Sequence, residues 1–128
     1  MFIQNLKPKQ QSALLYLAKE VMEADDELHE CENQVLNLLM SQVDTSVVPE
    51  IISLDSLSDL FDTNSSKICL LLEIIGVAHA DGYYHHDENA LIKKYAQVLD
   101  VTEEKLLKLE SWVSKQLSLS LEAQKLLA

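Results

Sequence analysis

Ile68-Cys69-Leu70-Leu71-Leu72-Glu73-Ile74-Ile75-Gly76-Val77-Ala78-His79-Ala80-Asp81-Gly82-Tyr83-Tyr84-His85-His86-Asp87-Glu88-Asn89-Ala90-Leu91-Ile92 is the stretch whose reading decides the fold. Its first part is apolar on nearly every face except Glu73, which describes a buried helix better than a surface one. The run stops at Asp81-Gly82, where glycine takes a positive φ without a Cβ clash. A second helix follows with acids in its first turn. Between the two, His79, Asp81, His85, His86, Asp87 and Glu88 crowd one short connection.

The same pattern occurs 56 residues upstream. Leu14-Leu15, Val21, Ala24-Asp25, His29, Glu32-Asn33 and Asp44 match Leu70-Leu71, Val77, Ala80-Asp81, His85, Glu88-Asn89 and Asp100. Ala-Asp-x-x-x-His-x-x-Glu-Asn thus occurs twice, as expected for a duplicated helix-turn-helix hairpin. The expected repeats cover about residues 9–43 and 65–99.

The rest of the chain fits an all-α domain. Its 128 residues suit a single domain spanning 1–128, and 48% hydrophobic residues supply a sizeable core. Two Gly and two Pro beside abundant Leu argue against strands and long loops. The expected architecture is one bundle of about seven helices built from the two hairpins. Pro8 suits the first turn of helix one, which runs to about Ala24. Helix two covers about Glu30 to Val43, with Val35, Leu36, Leu39 and Val43 facing in. Pro49 to Ile52 and Ser56 to Phe61 are expected as short helices. Asn64 or Ser65 is expected to cap the central helix, with Leu71, Leu72, Ile75, Val77 and Ala78 inside. The next helix runs from about His86 to Leu99. Thr102-Glu103-Glu104 marks another start, with Leu106, Leu109, Trp112 and Val113 on one side. Ser120 is expected to cap a last short helix through Leu127.

Charge and cysteine usage narrow the function classes. Ten Lys+Arg against 21 Asp+Glu give a net charge of -11, which repels nucleic acid and anionic membranes and favours cations or basic partners. No apolar run reaches the ~20 residues of a spanning helix, and the first residues lack the apolar core of a signal peptide. Cys31 and Cys69 are too few for a disulfide framework, so a cytoplasmic location is expected. Lone cysteines on apolar helices read as core. No Gly-x-Ser-x-Gly nucleophile motif is present. The order His-x-x-Glu at a helix start is also unlike the intrahelical Glu-x-x-His of di-iron bundles.

The twice-used acids allow two readings. In the first, Glu32 and Glu88 close capping boxes and Asp25 and Asp81 are turn residues. The histidines fit that poorly, because His is a weak N-cap. In the second, Asp25 and Glu32 meet Asp81 and Glu88 around a cation. A single hairpin is too short to be an EF-hand, whose loop needs ~12 residues. Four carboxylates within ~5 Å would repel by ~3 kcal/mol per pair at an effective dielectric near 20, so such a cluster takes up protons or binds a cation. Hard oxygen ligands point to Ca²⁺ or Mg²⁺ first. His29 and His85 are possible additional ligands that keep Zn²⁺ open as the alternative.

Val77-Ala78-His79-Ala80-Asp81-Gly82-Tyr83-Tyr84-His85-His86-Asp87-Glu88, and more loosely Val21-Met22-Glu23-Ala24-Asp25-Asp26-Glu27-Leu28-His29-Glu30-Cys31-Glu32, resembles the TerB-like tellurite-resistance domains over roughly residues 12–113. The hallmark of that family is a twice-used helix ending in Ala-Asp-Gly, then a small polar N-cap and a Glu. Asp26 here replaces the turn glycine of the first copy, and His29 and His85 replace the usual Ser or Thr caps. The resemblance implies an all-helical, acidic, non-enzymatic module tied to stress and tellurite resistance. It also implies that Asp25, Glu32, Asp81 and Glu88 bind a divalent cation. The alternatives are a protein-interaction module whose acids are caps and surface charge, and a metal-dependent enzyme using the same acids. Tyr83 and Tyr84 are candidates for a partner surface.

Overall fold

The computed structural model describes residues 2–24, 30–79 and 86–128, with backbone only for 30–32. Among them the chain forms a short 3-10 turn, Ile3–Asn5, and six α-helices with no strand. These are α1 (Pro8–Glu23), α2 (Glu30–Ser41), α3 (Leu54–Leu60), α4 (Asn64–Ala78), α5 (His86–Val98) and α6 (Glu103–Leu127). The starts of α1 and α4 lie 56 residues apart, and so do the starts of α2 and α5.

α4 is the axis of the bundle, in contact with the 3-10 turn and with α1, α2, α5 and α6. Its near-continuous apolar sequence suits that place. Leu70, Leu71, Ile74, Ile75, Val77 and Ala78 are all buried. α1 is its main partner and buries Leu14, Leu15, Leu17, Ala18, Val21 and Met22. The start of α1 is tied to the end of α3, four residues before α4 begins. Gln10 Nε2 donates to the Leu60 carbonyl just upstream of α4, at 2.9 Å. Gln11 Nε2 donates to the Ile3 carbonyl at 3.0 Å, tying the N-terminal turn down. These amides are buried but hydrogen-bonded, so their burial costs little. α5 adds Ile92, Tyr95 and Ala96, and α6 adds Leu106, Leu109 and Val113.

Local chemistry sets the helix ends. Pro8 occupies the first position of α1. Thr63, rather than Asn64 or Ser65, caps α4: its Oγ1 accepts from the Ser66 N–H at 3.1 Å. Thr102 caps α6 by accepting from the Lys105 N–H at 3.2 Å. α5 ends on Asp100 at φ 60°. The Val101 N–H bonds to the Ala96 carbonyl at 2.8 Å and the Asp100 N–H to the Gln97 carbonyl at 3.1 Å, a Schellman closure. Asp tolerates this left-handed conformation better than most residues.

Several sequence expectations need correction. Pro49 to Ile52 forms no helix. α3 starts at Leu54 behind Ser53, not behind Ser56. No break occurs at Ser120: α6 is continuous to Leu127, because the good helix formers around its four isolated serines propagate the helix. Leu72 is half-buried rather than central, on the same stripe of α4 as the half-buried Ile68 and Gly76 one turn to either side. Trp112 remains 43% exposed. One side of its indole packs on Phe2, with centroids 5.7 Å apart and planes at 52°, and the remainder faces solvent.

Candidate functional site

Of the four acids expected to converge, the side chain of Glu88 lies within the described residues. Asp25, Asp81, His29 and His85 lie outside them, as do Tyr83, Tyr84 and the side chains of Cys31 and Glu32. Among the described residues, no three His, Cys, Asp or Glu side chains group closely enough to hold a metal ion.

Glu88 has a distinctive place. It lies in the first turn of α5, where acids complement the helix dipole. Asp87 beside it is exposed, as is His86, whereas Glu88 is 0% exposed. An ionised carboxylate held away from water must be paired, hydrogen-bonded or metal-bound, because its desolvation is otherwise prohibitive. A capping glutamate on an open helix end would not need to be buried to this extent. α5 packs on α1 and α4, the two helices that precede the repeated acidic segments in sequence. His79 ends α4, with its backbone N–H on the Ile75 carbonyl at 3.0 Å and its ring half-buried.

A second polar feature lies on the other side of α4. Glu73 is buried, and one of its carboxylate oxygens accepts the Phe2 N–H. Beside it runs a groove of about 360 Å³ between α2, α4 and α6, walled by Val35, Leu38, Leu39, Val77 and Leu117. Gly76 lies in its floor, and a Cβ there would meet nothing within 4 Å. Sequence reasoning saw Glu73 only as an interruption of an apolar run. A lone charge in the most apolar helix was the signal that it serves a buried partner.

The remaining titratable groups read as structure. Burial pushes the Cys69 thiol up, and the nearby Glu73 carboxylate adds to this. The thiolate needed for soft-metal or nucleophilic chemistry is thereby disfavoured, as suits a core cysteine. The Tyr95 hydroxyl donates to Glu20 Oε1 at 3.3 Å. Burial, then the Glu20 charge, drives that phenol well above its ordinary range. The paired positions Asp44 and Asp100 do different jobs. Asp44 Oδ1 accepts from the Ser46 N–H and hydroxyl, both at 2.9 Å, which lowers its pKa. Asp100 closes α5 through its backbone.

No helix among the described residues is long and apolar enough to cross a membrane. No family model, curated protein or solved structure matches this chain.

Proposed function

We propose that this chain is a non-enzymatic, cytoplasmic module that binds a divalent cation between two related helical hairpins, as TerB-like domains are thought to do. The binding acids are Asp25, Glu32, Asp81 and Glu88, with Ca²⁺ or Mg²⁺ preferred and Zn²⁺ favoured if His29 and His85 join them. The observation that carries this reading is the complete burial of Glu88 at the head of α5. The matched 56-residue offsets of the helix starts support the duplication. Gln10 in the first turn of α1 reaches Leu60, four residues before α4, and the two helices have similar lengths, which favours bringing the two acidic segments to one end.

Removing charge from such a cluster has opposite effects with and without metal. Asp81→Asn and Glu88→Gln relieve like-charge repulsion in the metal-free protein, so melting in EDTA is expected at an equal or higher temperature than wild type. With millimolar Ca²⁺ or Mg²⁺, or micromolar Zn²⁺, wild type is expected to gain on the order of 10 °C at a hundredfold excess over Kd. The variants should lose most of that gain. Equal responses of all three proteins would overturn the shared site.

One observation favours a second reading, a protein-interaction module. The groove between α2, α4 and α6 is bordered by the exposed Leu38 and lies beside the exposed half of α6. In that case cations change nothing, and the acids serve as caps and surface charge.

A further inference from the structure

α6 does two different things along its length. Its first half is anchored by Leu106, Leu109 and Val113, all buried. From Ser118 onward every residue is exposed, yet Leu119, Leu121, Leu126 and Leu127 lie there, with Leu119 at 63% and Leu126 at 86%. Helical periodicity places Trp112, Leu119 and Leu126 seven residues apart on one line, to within about 20° per heptad. Ala123 lies beside that line. The stripe is distinct from the buried face, which passes through Leu106, Val113 and Leu117. α6 therefore carries a second apolar seam that remains exposed among the described residues.

Two features of the seam specify its occupant. The first is symmetry. Trp112 and Leu126 are equally distant from Leu119, so a two-fold axis at Leu119 lays each Trp112 against the other chain's Leu126. It also sets Leu119 against its own copy. In an antiparallel pair made by such an axis, like flanks of the seam meet. Lys115 and Glu122 share one flank, four residues before and three after Leu119. With a rise of 1.5 Å per residue, each lysine lies level with the other chain's glutamate to within about 1.5 Å. Two cross-chain ion pairs result. The opposite flank presents Gln116 and Ala123, which impose no like-charge contact.

The second feature is charge. α6 holds four acids, Glu103, Glu104, Glu110 and Glu122, and four lysines, Lys105, Lys108, Lys115 and Lys125. It is neutral, so the net charge of -11 falls wholly on the rest of the chain. The rest of the chain carries the whole net charge and on average repels its own copy, whereas two copies of α6 meet without net repulsion.

We infer that the exposed seam Trp112–Leu119–Leu126 of α6 is a homodimer interface, an antiparallel α6–α6 pair about a two-fold axis at Leu119. This assembly is independent of cation binding and needs no metal. Sedimentation equilibrium of the full chain in EDTA, over roughly 10–500 µM, tests it. The expected mass rises from the 14.5 kDa of one chain toward twice that. Leu119→Glu places two carboxylates on the axis and should weaken association at least ~tenfold. Its circular dichroism should stay unchanged, since Leu119 supports no core. Lys115→Glu and Glu122→Lys should each weaken the dimer, and the double exchange should restore it. Non-specific hydrophobic association would not show that rescue. A monomer at every concentration overturns the inference and leaves the seam to a different partner. A dimer indifferent to Leu119→Glu, or a double exchange no better than the singles, overturns it equally.

Discussion

Glu73 and Glu88 are carboxylates held out of water on different elements of the bundle, and each must be answered locally. Glu73 is answered in part by the Phe2 N–H, which makes it an anchor for the N-terminal turn. Glu88 is wholly buried in the first turn of α5, and the proposed cation reading rests on that burial. Neighbouring leucines on α4 separate core from margin in the same way. Leu71 is wholly buried, so Leu71→Ala is expected to cost roughly 2–5 kcal/mol. Leu72 is half-buried, and Leu72→Ala should cost less than half as much. Urea unfolding with unchanged slopes checks both; equal losses would mean the α4 faces are wrongly oriented. Sequence periodicity identified Leu71, Ile75, Val77 and Ala78 because helix 64–78 is apolar throughout. That uniformity is also why it misjudged Leu72: with no polar face to set the phase, the sequence does not say which leucine points into a seam. Trp112 was misplaced for a related reason. Its position on α6 borders the core, and its ring needed Phe2, a long-range neighbour, to cover one side.

At the scale of elements, helix starts were legible where a hydroxyl side chain could accept the N3 amide. Thr102 was read correctly, and the cap of α4 was missed by one residue because Thr63, Asn64 and Ser65 are all competent caps. Helix ends were less legible. α5 closes on a left-handed Asp100 with no glycine to announce it, and α6 passes through Ser120 because a single serine lacks the strength to break it. Gly76 is the converse, a poor helix former within α4. No close contact demands it, since an added Cβ meets open groove. Gly76→Ala is therefore expected to stabilise the protein by about 0.5–1 kcal/mol through the unfolded chain's lost freedom and the better helix propensity. Thermal and urea unfolding measure it. A destabilised variant would mean that the groove closes over Gly76 in solution.

For the whole molecule, the all-helical architecture followed from few glycines and prolines, abundant leucine and a central apolar helix. The candidate site was legible only as a pattern. Asp25, Glu32, Asp81 and Glu88 repeat in sequence, but convergence depends on how α1, α2, α4 and α5 pack, which no local spacing encodes. The burial of Glu88 adds one fixed point to that pattern. An acidic bundle with net charge -11 also has a general reason to attract cations, so weak, diffuse association must be separated from a built site. Calorimetric titration of the metal-free protein with Ca²⁺, Mg²⁺ and Zn²⁺, in salt that screens surface charge, makes that separation most directly. The cation reading predicts saturable binding of about one ion per chain for at least one of the three, lost in Glu88→Gln. Heats no larger than dilution for all three ions, or binding that Glu88→Gln leaves intact, would contradict it.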